Sequence, residues 1–216
     1  MKMNKKAFLT KTLFVLIVTI MIFSTSCSIG AKFFRLSSQA KDNFADFINE
    51  MEDLVKNAKE DGERRNNLLI IDKETIFAYF SKSQLVVSVD AAGALHDYKI
   101  YLDRPIDCDN EGARGCFCLF REVETVASFS EKRVDIKPIK VLCEPTEFEA
   151  YYNDSGPQGC GIGLPQKVNS YNCDGGFFAS REIVGKSDYV EAYYQNGRRI
   201  NFLIEKQGDK IQLKEQ

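Results

Sequence analysis

The sequence predicts an α+β protein, with an N-terminal transmembrane and amphipathic helix followed by a mainly antiparallel, β-sandwich-like ectodomain with disulfides. Three observations predict it. A lysine-flanked run without charge opens the chain, an apolar stripe at helical spacing follows, and beyond residue 67 the pattern turns to short alternating runs among which six cysteines fall. The expected division is 1–31 for a signal or transmembrane anchor, 32–62 for an amphipathic helix and 63–216 for an extracytoplasmic β-rich domain.

Lys2, Lys5, Lys6 and Lys11 precede residues 12–23, which carry no charge, and the first acid is Asp42. A basic flank before an apolar run orients a chain with its N-terminus in the cytoplasm and the bulk outside. Residues 12–31 contain nothing more polar than Ser, Thr and Cys27. As a helix they span about 30 Å, the thickness of a bilayer core. The same run also has the length of a signal-peptide core, so retention, lipidation and removal are all open.

Two short motifs bear on that choice. Lys6-Ala7-Phe8-Leu9 resembles the class III signal of archaeal, type IV pilin-like surface proteins. The resemblance covers only the N-terminal layout. It implies cleavage between Ala7 and Phe8, with the apolar helix kept on a mature surface subunit. Ser24-Thr25-Ser26-Cys27 resembles a lipobox, with Ser24 where Leu is usual, and implies lipidation of Cys27.

The stripe Ala40, Phe44, Phe47, Ile48, Met51, Leu54, Val55 and Ala58 predicts a helix over 39–59, capped by Ser37 or Ser38 and stopped near Gly62. Its apolar face has two uses: packing on the sheet that follows, or self-association along a heptad-like seam.

Strands are expected at 68–71, 76–81, 85–89, 98–102, 116–122, 134–143, 148–152 and 177–181, in runs rich in Val, Ile, Phe and Tyr. Pro138 predicts an edge or a break in its run. Asn196-Gly197 predicts a hairpin between 189–195 and 198–205, and Gln207-Gly208-Asp209 a turn into a last strand over 210–214. Residues 153–173 read as a loop. Cys116, Cys118 and Phe120 fall on one face of their strand, Phe117 and Leu119 on the other, so both faces are expected to be covered.

Basic residues number 29 and acids 31; with four lysines before residue 12, the chain beyond Cys27 carries 25 bases against those 31 acids, a net of −6. An acidic ectodomain argues against a nucleic-acid partner. Cys108, Cys116, Cys118, Cys143, Cys160 and Cys173 form an even set, which predicts disulfides in an oxidising compartment. The pairing favoured by short loops is Cys108–Cys116, Cys118–Cys143 and Cys160–Cys173; a metal site is the rival reading.

Asp107, Asp109 and Glu111 set oxygens at alternate positions before Gly112, as at the start of a calcium loop. Position twelve holds Cys118 instead of the bidentate Glu, and an acidic turn held by Cys108 is the competing reading. Asn153 begins a glycosylation sequon. Tyr189, Glu191 and Tyr193 share one strand face and form a candidate interface row. His96, expected in a loop, is the only histidine and has no catalytic motif around it. No catalytic residue and no cofactor are expected. The expected partners are the membrane and a second copy or another envelope protein. A membrane-anchored structural or binding protein is the leading functional expectation, ahead of a lipoprotein-type binding module and of an exported hydrolase.

Overall fold

The computed structural model describes residues 38–72, 75–91, 96–128, 130–153, 168–179, 183–186, 189–192 and 198–216. Helix α1 (Ser38–Asn57) lays its stripe onto the sheets: Ala40, Phe44, Phe47, Ile48, Met51 and Leu54 are buried. That settles the use of the face, since a seam for self-association would need it uncovered. No helix among the described residues is long and apolar enough to cross a membrane, and the span expected at 12–31 lies outside them.

Thirteen strands follow among the described residues: β1 (Arg64–Ile71), β2 (Thr75–Phe80), β3 (Gln84–Ala91), β4 (His96–Asp103), β5 (Gly115–Ser128), β6 (Arg133–Thr146), β7 (Glu149–Tyr152), β8 (Val168–Asp174), β9 (Gly176–Ala179), β10 (Ile183–Lys186), β11 (Tyr189–Ala192), β12 (Arg198–Gln207) and β13 (Lys210–Glu215). A four-stranded sheet runs β1-β12-β13-β7, and a seven-stranded sheet runs β8-β3-β4-β6-β5-β2-β9. Among the described strands, only β4–β6 and β7–β13 pair in parallel.

The larger sheet nearly closes on itself. Its two end strands, β8 and β9, are separated in sequence by Gly175 alone, and they flank β3 and β2, which are joined by a short turn. Both chain paths bend at the same corner, where Ser81 N–H donates to Gly175 O at 2.9 Å. The corner requires glycine. Gly176 has φ +144°, and a side chain there would run into the backbone carbonyl of Tyr79.

Two cores result from strict alternation along the central strands. Inside the bent sheet lie Ile76, Ala78 and Phe80 of β2, Cys116, Cys118 and Phe120 of β5, and Leu85, Val87, Ile100 and Leu102. On the outer face Phe77, Tyr79, Phe117 and Phe177 meet α1 and the smaller sheet through Phe44, Phe47, Phe148, Tyr152 and Phe202. All six residues of β2 are buried as a consequence. Two sheets do face each other across an aromatic layer, as a sandwich-like fold implies, but the larger is a near-closed sheet with a core of its own.

Tyr79 combines bulk with one polar duty. Its hydroxyl accepts the Ala150 N–H at 2.9 Å, satisfying a donor of β7, and burial pushes the phenol up to about 12. Because the unfolded phenol ionises near 10, the unfolded chain sheds this proton first as pH rises. Stability is therefore complete below about pH 10 and falls by about 2–3 kcal/mol as pH climbs to about 12. Urea unfolding at about pH 9 and about pH 11.5 is expected to show this loss, with a smaller loss in Tyr79→Phe.

Asn43 is the polar hinge between α1 and β1. Its side-chain amide donates to Leu68 O at 2.7 Å, and its oxygen accepts the Ile70 N–H at 2.6 Å. One side chain thus does for the edge of β1 what a neighbouring strand would do. Asn43→Ala strands both backbone groups and is expected to cost about 1–3 kcal/mol. A shift of the urea midpoint without a change in slope would show it, while no shift would mean that water replaces the amide. The helix exit is held similarly: Lys206 Nζ donates to Val55 O at 3.0 Å and Ala58 O at 3.1 Å, placing a cation on the last carbonyls.

The structure corrects three local expectations and bears on a fourth. Residues 168–173 are not loop but belong to β8, whose sequence is mostly polar. His96 opens β4 instead of lying in a loop. Tyr189–Ala192 pairs with β10, not with β12, whose two edges are taken by β1 and β13. Pro138 does not break its strand but does lie at a local edge, as its residue type predicts: β6 runs through it opposite Val123, and on the other side β4 pairs only as far as Ile136.

Candidate functional site

The densest chemistry among the described residues is a group of four cysteines drawn from three elements. Alternation along β5 turns Cys116 and Cys118 to the same inner face. Cys143 of β6 stands directly opposite Cys118 in the ladder. Cys108 ends a short 3-10 turn (Ile106–Cys108), which the loop between β4 and β5 folds back over the sheet.

That loop is built by its own backbone. Cys108 N–H donates to Pro105 O at 3.0 Å, Asp109 N–H to Ile106 O at 3.0 Å and Ala113 N–H to Asn110 O at 3.1 Å, and Arg114 N–H ties its end to Thr146 O at 2.8 Å. Arg104 clamps it from inside. Its Nη2 donates to Cys108 O at 2.6 Å, its Nε lies 3.8 Å from Asp109 Oδ1, and that Nε has no hydrogen-bond acceptor.

Two disulfides join the four residues, Cys108–Cys116 and Cys118–Cys143. They are the pairs expected from loop length. Cys173 is disulfide-bonded as well; its expected partner, Cys160, lies outside the described residues. The two bridges lie against each other, with Cys118 Sγ 3.5 Å from Cys108 Sγ and 3.8 Å from Cys116 Sγ. Cys108, Cys116 and Cys118 are fully buried, and Cys143 is the least buried of the four. As disulfides they staple the β5–β6 hairpin and its overlying loop.

No family model, curated protein or solved structure matches this chain. The reading of its site therefore rests on its own geometry.

The other residues singled out in sequence fall as follows. Asp107, Asp109 and Glu111 are exposed on the loop over the disulfides, and Asp109 faces Arg104. Among the described residues the four cysteines are the one group gathered closely enough to ligate a metal. Asn153 is exposed at the end of β7, its N–H donating to Leu213 O at 2.7 Å. Tyr189 and Glu191 lie in a two-stranded ribbon, opposite Lys186 and Val184. Ala7, Phe8, Cys27 and Tyr193 lie outside the described residues. Sequence reasoning missed Arg104, for which the nearby run of acids and Cys108 was the only available signal.

Proposed function

We propose that this chain is a membrane-anchored extracytoplasmic protein that acts by binding or assembly, with a pilin-like surface subunit as the assembly form. The observation that carries the reading is the pair of buried disulfides behind a lysine-flanked apolar leader. Disulfides of this kind persist in oxidising compartments, and the leader is the device that sends a chain there. The net acidic ectodomain supports it by disfavouring a polyanionic partner. With the stripe of α1 already covered by sheet, assembly would run through the apolar segment 12–31 and through the ribbon that bears Tyr189 and Glu191.

The test is the intact mass of the mature protein taken from membranes of its native host. A chain beginning at Phe8 supports the pilin-like form, and one that keeps its lysine-rich start supports a simple anchored ectodomain. A chain that begins beyond residue 31 and stays in the soluble fraction sinks the anchored reading. The odd cysteine count favours one second reading, a lipoprotein-type binding module anchored through Cys27. A mass starting at Cys27 with added acyl chains, lost in Cys27→Ser, would establish that alternative.

A further inference from the structure

The four cysteines have a second chemical identity available to them. All four Sγ atoms lie within 4.8 Å of one another. In a tetrahedral zinc site with metal–sulfur bonds of about 2.3 Å, the sulfurs stand about 3.8 Å apart. Cys118 Sγ already meets that spacing to both sulfurs of the other bridge, at 3.5 and 3.8 Å, and Cys143 Sγ lies within 4.8 Å of them. The main movement needed is for the two bonded pairs to part, by about 1.7 Å each, which side-chain rotation can supply. A donor set of four sulfurs with no carboxylate or imidazole selects a thiophilic cation such as Zn2+ over Ca2+ or Mg2+.

We propose that Cys108, Cys116, Cys118 and Cys143 form a redox-gated metal site, locked as two disulfides when oxidised and holding one Zn2+ once a dithiol has reduced both bonds. The inference is independent of where the protein resides. In each reduction a dithiol thiolate attacks one sulfur, forms a mixed disulfide, and closes on itself to leave as a disulfide. Each bridge gains two electrons and two protons in the process. The four thiols then release their protons as they bind Zn2+; in the reverse direction two molecules of a disulfide oxidant take up four electrons and four protons to become thiols, the two bridges re-form, and the metal is ejected. The filled site carries a net charge of −2 in a mostly buried position. Arg104, whose guanidinium already donates to the Cys108 carbonyl and has an unused Nε, is the cation placed to offset that charge. Partly exposed Cys143 is the entry point for both reductant and metal.

The experiment uses the full chain in detergent, reduced anaerobically with a phosphine (itself oxidised to phosphine oxide), and titrated with Co2+ and then Zn2+. The expected result is one Co2+ per chain with the sulfur-to-cobalt charge-transfer absorption of a tetrahedral tetrathiolate, displaced by one equivalent of Zn2+ and released on reoxidation. Cys118→Ser is expected to weaken binding by at least about tenfold, whereas a chain with Cys27→Ser, Cys160→Ser and Cys173→Ser together keeps it. Should the reduced chain lose its strand structure and regain it with metal, the proposal stands, because site formation then drives folding. It is overturned if no thiolate charge-transfer band appears. It is equally overturned if binding survives both Cys118→Ser and Cys143→Ser, or if a chain unfolded by reduction is not restored by metal.

Discussion

Phe77→Ala is expected to destabilise the β domain by about 3–5 kcal/mol, the range for emptying a fully buried aromatic site. The reason is the number of elements that meet on this one ring. Phe77 stacks on Phe117 of β5 at 5.7 Å and meets Phe44 and Phe47 of α1, Phe177 of β9 and Phe202 of β12 at 6.0–6.4 Å. The cavity would be lined by rings held from four elements, so no single neighbour can move to fill it. Urea denaturation of the oxidised protein reads the effect directly. A loss below about 1 kcal/mol would mean that the aromatic layer collapses easily and that the two sheets are not held rigidly across it.

Removing the disulfides is the second large expectation. Under the chain-entropy account, Cys118→Ala with Cys143→Ala releases a loop with a sequence separation of 25 and costs about 3.5 kcal/mol, while Cys108→Ala with Cys116→Ala releases one with a separation of 8 and costs about 2.5. Both members are changed together so that no free thiol is left to attack the remaining bridge. Because the bridges touch, the two losses are not expected to add. If removing the shorter loop costs more than removing the longer, packing of the sulfurs in the core outweighs loop entropy, and the ranking of the two pairs reverses.

Much of this was readable from local pattern. The two faces of β5 follow from alternation, with Cys116, Cys118 and Phe120 inside and Phe117 and Leu119 outside, and the buried stripe of α1 follows from steps of three and four. Both described disulfide pairs follow from short loops. Features that depend on distant partners were not readable. Val168–Asp174 carries little apolar signal and becomes a strand only because β3 offers it an edge. Asn196-Gly197 is a strong turn signal, yet β11 pairs with β10 because β12 is claimed by β1 and β13 on its two sides. Nor could spacing show that two separate disulfides would lie against each other, since Cys108 arrives on a loop whose path is set by Arg104 and by backbone bonds.

The order β1-β12-β13-β7 has a consequence for the timing of folding. Its first strand leaves α1 at Arg64, and the strand that pairs with it begins at Arg198; the Arg64–Glu205 ion pair alone bridges 141 positions. Until the last strands have been synthesised, β1 and β7 have no sheet to join, and the outer rings of Phe77 and Phe117 lack the cover of Phe202. Long-range pairing of this kind closes late and slowly. Loss of the last few residues, which form β13, would leave β7 without a partner and uncover one edge of β12, while β1 would keep its pairing with β12.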